Sequence, residues 1–554
     1  MKKSNVLVFT TCYNEHDNIG DLIDQIVEAV PQADILVVDD NSPDGTWGAI
    51  QEKKKKYSNL TAVQRRGKLG IGSAHKYALF YAMREGYATL VTMDADFSHN
   101  PKSIPSLLAA HRPGAFVTGS RYCGGGSSDY TGYRDWVSRM GNRLARLVLG
   151  VQIRELTTYF RVFDVESLKR LPLRRISASG YSYGVELVYY LRKIGVELRE
   201  VPIHFVDRTR GSSKIPRLQI FKSAADLFGL GLRRFRLFRD LGPDQFVADT
   251  CVNCEDRVLA MKHFGSRKSV EGADPLPDGA EYRCTAVGAA DYPPVYTCLC
   301  CGLEQVPASL TPPSLESVYE SVVDTTYIQN SDVREKTYRR CFDQLAVYLP
   351  GRPGRLLEVG AYCGLFLKEA TGRGWECRGV EPSVWASTYA RETVHVDVHQ
   401  GFLADFKDEA GLPYDVVVSW DVLEHVRNPR QFLEDCAAFL KRDGILAIST
   451  LDIDTWMPRL LGRRWPWLMN MHVIYFSRST MTDMLKRAGF DLVDVQPYVH
   501  YARLRHIFNG GLRVLPEFLR KPASYLIGFI PRSTALSVAF GDIKLFVARK
   551  RETV

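Results

Sequence analysis

A chain of 554 residues is longer than one hydrophobic core can serve and implies roughly three or four domains. With 45% hydrophobic and 24% charged residues it reads as globular, which excludes a disordered chain, and no apolar run approaches the ~18–20 residues of a membrane helix. The net charge of +9 suits anionic partners, yet the basic residues gather around acids and apolar segments rather than in a stripe, which argues against nucleic acid.

The opening Met1-Lys2-Lys3-Ser4, followed by Val6-Leu7-Val8-Phe9, reads as a first β-strand rather than a secretory signal, so a cytoplasmic protein is expected. The 12 cysteines are scattered apart from two tight pairs, as in a reduced intracellular enzyme. Over the first 240 residues short Val/Ile/Leu runs alternate with helical patterns, the mark of an α/β sheet. Strands are predicted at 5–11, 35–39, 60–64, 89–93 and 115–118. The first ends in Thr10-Thr11-Cys12-Tyr13-Asn14-Glu15 and the second in Asp39-Asp40-Asn41-Ser42-Pro43-Asp44-Gly45-Thr46. Parallel strands open into a ligand crevice at their C-terminal ends, where such acids can bond a base or ribose. The second cluster fits a plain turn and helix cap equally well. In Met93-Asp94-Ala95-Asp96 two carboxylates at i and i+2 project to one side beyond a buried strand, so both can meet one divalent cation and a diphosphate. Hard oxygen ligands suit Mg²⁺ or Mn²⁺. Basic residues follow in Gly119-Ser120-Arg121-Tyr122, at Arg134 and Arg139, and in Asp207-Arg208-Thr209-Arg210-Gly211-Ser212-Ser213-Lys214, of the types that grip phosphate.

As a set, these motifs resemble the dolichol- or polyprenol-phosphate mannose synthase group of family 2 glycosyltransferases. Gly67-Lys68-Leu69-Gly70-Ile71-Gly72, Glu155-Leu156-Thr157-Thr158-Tyr159-Phe160-Arg161 and Gly180-Tyr181-Ser182-Tyr183-Gly184-Val185-Glu186-Leu187 belong to the set, which runs from residue 4 to about 225. The resemblance implies a GT-A fold and inverting transfer from a nucleotide sugar, usually GDP-mannose, to a lipid phosphate. It implies nucleotide-sugar contacts from Tyr13, Asn14, Glu15, Asp39, Asp40 and Lys68, and a metal at Asp94 and Asp96. It further implies phosphate contacts from Arg121, Arg134, Arg208 and Lys214. An acceptor phosphate is already anionic, so positioning and charge stabilisation suffice without a strong base. Tyr159 departs from the family's usual glycine and is expected to reshape the donor or acceptor pocket. Residues 218–239 mix large apolar side chains with arginines, as an interfacial helix or a helix packed on the sheet would. Peripheral contact with the inner face of the membrane is expected.

From about residue 241 to 310 proline, glycine, aspartate and cysteine rise and periodicity disappears. Cys251-Val252-Asn253-Cys254 and Cys298-Leu299-Cys300-Cys301 form two knuckles whose four thiolates suit one structural Zn²⁺, with His263, Cys284 and Cys300 as alternates. A cysteine-ligated module ahead of a methyltransferase resembles a bacterial methyltransferase arrangement.

A second α/β alternation starts near Leu356. Glu358-Val359-Gly360-Ala361-Tyr362-Cys363-Gly364 reads as strand, glycine turn and helix, and Val380-Glu381-Pro382 ends the next strand in an acid that can take both ribose hydroxyls of an adenosine. That geometry alone also fits NAD. Tyr414-Asp415-Val416-Val417-Val418-Ser419-Trp420-Asp421-Val422-Leu423-Glu424-His425 and Leu440-Lys441-Arg442-Asp443-Gly444-Ile445-Leu446 carry a resemblance, over about 354–494, to class I methyltransferases. The resemblance implies S-adenosylmethionine held by Glu358, Gly360, Gly364 and Glu381, with Asp421 near its methionine end. Tyr362 and Cys363 depart from the usual glycine loop. A hydroxyl acceptor would benefit from a general base, for which His472 and His425 are candidates.

The expected architecture is therefore α/β throughout: a GT-A domain over 1–240, a zinc-ribbon-like module over 241–310, linker helices over 311–353, and a Rossmann-like methyltransferase over 354–554. The leading expectation is a bifunctional enzyme of glycan assembly that methylates a sugar in the pathway its other half serves. The alternative keeps the glycosyltransferase and makes the C-terminal half a scaffold for membrane-bound partners.

Overall fold

A computed structural model describes residues 4–171, 181–207, 249–263, 292–311, 315–407, 413–504 and 534–551, with isolated positions between them. The chain divides into two compact units, one of residues 1–248 with 258–261 and 298–301, the other of residues 249–257, 262–297 and 302–554. Residues 218–239, where an interfacial helix or a helix packed on the sheet was expected, lie outside the described residues.

The first unit is built on a seven-stranded sheet. Across it run Leu60–Gln64, Asp34–Asp39, Val6–Cys12, Thr89–Asp94, Arg161–Asp164, Ala115–Ser120 and Glu197–Pro202. All pairs are parallel except those made by Arg161–Asp164, which runs against both neighbours. The register sets Cys12 beside Asp39 and Thr11 beside Asp94, so the strand ends that carry the acids share one edge. Helix His16–Ala29 buries Ile19, Leu22, Ile23 and Ile26, an i, i+3, i+4, i+7 stripe that seals one face of the sheet.

The second unit holds another seven-stranded sheet, in the order Val398–Gln400, Glu376–Glu381, Arg355–Val359, Tyr414–Trp420, Leu440–Leu451, Ile543–Lys550 and Phe490–Pro497. The first five are parallel, and Ile543–Lys550 pairs antiparallel on both sides. Two glycines have backbone reasons to be there. Gly360 (φ 78°) and Gly364 (φ 73°) lie in the left-handed region, and a Cβ on them would fall 2.4 Å from Val422 Cγ2 and 2.5 Å from Val396 Cγ2.

The cysteine-rich segment adds a strand, Glu304–Gln305, that pairs antiparallel with Ile474–Tyr475. Gln305 ties the first knuckle down: its Oε1 accepts from Val252 N at 3.1 Å and its Nε2 donates to Thr250 O at 3.0 Å. Asn253 Nδ2 donates to Asp483 Oδ2 at 3.0 Å. Among the described residues no helix is long and apolar enough to cross a membrane.

Helix Arg478–Arg487 begins in a capping box, with Ser477 Oγ accepting from Thr480 N and Thr480 Oγ1 accepting from Ser477 N. Ser477→Ala should cost about 1 kcal/mol, measured as a lowered midpoint in urea unfolding followed by circular dichroism.

Candidate active sites

At the acid-bearing edge of the first sheet, the two leading strand ends are stitched together by side chains. Asn14 N donates to Ser42 Oγ (2.9 Å), Glu15 N to Thr46 Oγ1 (2.9 Å) and His16 N to Asp44 Oδ2 (3.2 Å). Asn14 and Asn41 take left-handed φ of 57° and 58°, which asparagine tolerates best among residues with a Cβ. Asp39 is buried and accepts from Ser42 N at 3.1 Å and Ser42 Oγ at 2.5 Å. The turn reading of this cluster is thus part of the geometry, and it rigidifies the crevice wall.

Asp40 is engaged by a residue the sequence analysis did not single out. Arg65 is 1% exposed and donates from Nε to Asp40 Oδ1 at 2.5 Å, from Nη1 to Ser73 Oγ at 2.7 Å and from Nη2 to Gly70 O at 3.3 Å. Gly70 N reaches Asp40 Oδ2 at 3.3 Å. Burial pushes the Asp40 carboxyl up from its ordinary value, against the pull of the Arg65 charge. This pair holds the loop that carries Lys68, whose Nζ lies 4.5 Å over the Tyr13 ring.

Asp94 and Asp96 follow on the adjacent strand end. Asp96 Oδ1 accepts from Ser98 N (3.1 Å) and Ser98 Oγ (2.5 Å) in a tight turn, where Phe97 adopts φ 60°. Beneath them His99 is fully buried. Its Nδ1 accepts from Asp94 N at 3.1 Å, so the ring hydrogen sits on Nε2 and is donated to Thr158 Oγ1 at 2.9 Å. Burial lowers its pKa to about 4, which makes it a neutral strut.

Arg121, expected to hold phosphate, is already forked onto Glu155. Nε reaches Oε2 at 2.7 Å, Nη2 reaches Oε1 at 3.0 Å, and Thr157 Oγ1 lies 3.0 Å from Nη2. The guanidinium carbon is 4.7 Å from the Phe205 ring centroid and 5.0 Å from that of Tyr122. Burial raises the Glu155 carboxyl, but the fork and Thr157 outweigh it and hold it below the usual range. Arg139 is exposed and pairs with Asp135 at 2.7 Å. Arg208, Lys214 and the side chain of Arg134 lie outside the described residues. Tyr159 is 2% exposed and stacks on His75 at 4.2 Å, so its ring fills the core.

In the second sheet, Glu381 closes the glycine turn. Its Oε2 accepts from Tyr362 N at 2.8 Å and its Oε1 from Ser383 N at 2.9 Å. Burial carries its carboxyl up to about 7 against the pull of those two amides. Glu358, buried alongside, is pushed up by burial and by the Glu381 charge, and its Oε2 has no hydrogen-bond partner among the described residues. Asp421 (φ 53°) accepts from Ser449 Oγ at 2.6 Å. Over this edge, the Tyr327 ring meets Tyr362 at 4.5 Å and carries the Arg334 guanidinium 3.9 Å from its centroid. A few residues on, Glu424, His425 and His472 converge. Burial lowers His472 to about 3 and His425 to about 4, and raises Glu424 to about 8.

The four cysteines Cys251, Cys254, Cys298 and Cys301 each place a sulfur within 4.8 Å of the other three, as thiols rather than disulfides. His263 and Cys300 are not part of that group, and Cys284 lies outside the described residues.

Residues 7–171 match the family model "Glycosyl transferase family 2" and residues 333–495 the model "Methyltransferase domain". An undecaprenyl-phosphate mannosyltransferase from Micrococcus luteus is 34% identical over 211 residues, which is 38% of this chain and 87% of that protein. The chain belongs to glycosyl transferase family 2. A polyprenol monophosphomannose synthase from Mycolicibacterium smegmatis is 35% identical over 230 residues, 41% of this chain and 87% of that protein. The N-terminal part is thus a family 2 glycosyltransferase domain of GT-A fold, and the C-terminal part is a class I methyltransferase domain with a Rossmann-like sheet. A SAM-dependent methyltransferase from Archaeoglobus fulgidus is 17% identical, covering 41% of this chain and 100% of that one, with a TM-score of 0.29, at which the likeness carries no weight.

In the glycosyltransferase domain, sequence reasoning passed over Arg65 and quoted Glu155 only as part of a motif, without a role; what marks both is burial. Removing Arg121 leaves the Glu155 charge buried and alone, so Arg121→Ala should cost about 3–5 kcal/mol in urea unfolding. A surface phosphate ligand would cost under about 1 kcal/mol.

Proposed function

We propose that the glycosyltransferase domain transfers mannose from GDP-mannose, with inversion, to a polyprenyl phosphate at the cytoplasmic face of a membrane. The observation that carries the membrane-borne acceptor is helix Gly132–Leu149. It anchors by Ala145, Leu149 and Asn142, whose Oδ1 accepts from Leu156 N at 2.7 Å, and turns Tyr133, Trp136, Met140, Leu144 and Leu147 outward. Tyr133 is 74% and Leu147 77% exposed, and the exposed Arg139 and Arg143 flank the stripe. Apolar side chains at i, i+3, i+7 with arginines beside them suit the boundary between lipid headgroups and acyl chains. Two relatives named for undecaprenyl and polyprenol substrates support the same acceptor class.

Within this reading, Asp94 and Asp96 would hold Mg²⁺ or Mn²⁺, which would neutralise the departing diphosphate. Asp39, Asp40, Lys68 and the Tyr13–Glu15 segment line the nucleotide side. Arg134, Arg208 and Lys214 keep the phosphate roles the resemblance gives them. Arg121 acts through Glu155 and the Thr157 segment as a positioning residue.

The methyltransferase domain takes S-adenosylmethionine, with Glu381 accepting the ribose hydroxyls, Gly360 and Gly364 giving it a close backbone, and Asp421 at the methionine end. We assign its acceptor to the same glycan assembly, and assign His472, with Glu424 and His425, to the acceptor's hydroxyl. The four cysteines suit structural Zn²⁺: sulfurs ~2.3 Å from zinc lie about 3.8 Å apart, inside the 4.8 Å envelope.

Radiolabelled GDP-mannose should label polyprenyl phosphate only with divalent metal, and Asp96→Ala should lower the rate at least about 100-fold. Labelling from a UDP-sugar alone would overturn the donor. Trp136→Glu with Leu147→Glu should abolish sedimentation with anionic vesicles while leaving transfer to a short, water-soluble acceptor within a few-fold.

For Glu381 the folded carboxyl at about 7 lies above its ordinary value, so the folded chain holds the proton more tightly than the unfolded one. Its contribution favours the folded state at low pH and is lost as pH rises towards 7. Ribose hydroxyls need the ionised form. Affinity for S-adenosylmethionine should therefore weaken, by up to about tenfold per pH unit, as pH falls below 7. Calorimetry across pH 5.5–8.5 checks this, and Glu381→Gln should flatten the profile.

A further inference from the structure

We propose that Glu424, His425 and His472 form a second metal site, which takes a divalent transition-metal ion and leaves it an open coordination position. It goes beyond the methyl-transfer reading and needs no knowledge of the acceptor.

One ligand atom from each of the three lies within 4.8 Å of the other two. They come from two segments joined by the bond from Val473 N to Glu424 O at 2.9 Å. Each ligand is also held from behind. His472 Nδ1 lies 2.7 Å from Trp467 O; a carbonyl can only accept, so Nδ1 carries the ring hydrogen and Nε2 keeps its lone pair. His425 Nδ1 lies 2.9 Å from Met471 O, with the Tyr319 hydroxyl at 3.0 Å, so a backbone carbonyl anchors this ring as well. Glu424 Oε2 accepts from Thr450 Oγ1 at 2.9 Å. Metal-binding imidazoles are characteristically anchored this way, through the N–H they do not use for the metal.

The donor set decides the class of ion. Two imidazoles and one carboxylate suit zinc, cobalt, manganese or iron, and are harder than the four thiolates of the cysteine cluster. Ligand atoms ~2.1 Å from such an ion lie about 3.4 Å apart, inside the observed envelope. Three protein ligands leave a position for water or a substrate oxygen, and the half-buried His425 marks the side open to solvent. A hydroxyl bound there gives up its proton more readily than in water.

The test uses the full chain, stripped with a chelator and titrated with Co²⁺. We expect one cobalt equivalent that lacks the thiolate charge-transfer band. It should survive Cys254→Ser and Asp96→Asn, and bind at least tenfold more weakly in the His425→Gln, His472→Gln double variant. Affinity for S-adenosylmethionine, measured on every variant, reports an intact domain; if the double variant loses it, Glu424→Gln takes its place. X-ray absorption on the Cys254→Ser chain should show imidazole scattering around cobalt. Unchanged cobalt binding in the histidine variant, loss of all cobalt with Cys254→Ser, or absent imidazole scattering would each overturn the site. Failure of the wild-type chain to bind S-adenosylmethionine would count against the methyltransferase reading and leave the metal result standing.

Discussion

A carboxylate carried out of water must meet a cation, hydrogen-bond donors or a proton, and both sheets set several of them at the ends of parallel strands. The register that puts Asp39 and Asp94 beside the first strand also gathers negative charge along one edge. In the second sheet Glu358 and Glu381 end neighbouring strands, and Asp421 and Glu424 follow a third. How each acid is compensated decides what its site can do.

The glycosyltransferase domain compensates with arginine. Arg65 on Asp40 and Arg121 on Glu155 neutralise buried charge permanently, since a guanidinium does not deprotonate in proteins. The loops they hold are the ones that frame the crevice. The chemistry assigned to that crevice needs fixed charge and fixed geometry rather than proton transfer, and a neutral His99 beneath Asp94 fits that demand. The methyltransferase domain compensates with backbone amides, hydroxyls and protons. Glu381 at about 7 and Glu424 at about 8 are left within reach of ordinary pH, so their charge follows proton uptake rather than a fixed partner.

Much of the scaffold was legible in the chain. The strand predicted at 60–64 is Leu60–Gln64, and the other four predicted strands differ from those observed by one or two residues at an end. Their apolar runs end in acids or polar turns, a contrast visible without coordinates. Arg161–Asp164 was missed because it has four residues and borrows its stability from two antiparallel neighbours. Glu197–Pro202 was missed because its residues are mostly half-buried or exposed and show no apolar run. Tyr159 was expected to reshape the donor or acceptor pocket; its ring stacks on His75 in the core, a direction that one-dimensional spacing does not carry.

The sequence by itself determined two α/β domains of known type and the residue classes at their strand ends. Hydrophobic periodicity and glycine turns are local properties, and local properties are written in order along the chain. Only the tertiary structure decided which charges are spent internally and which remain to act on a ligand. Arg121 and Glu155, Arg65 and Asp40, and the trio Glu424, His425 and His472 each depend on side chains brought together from separate segments. Burial sets the strength of every one of those contacts, and burial is a property of the packed molecule.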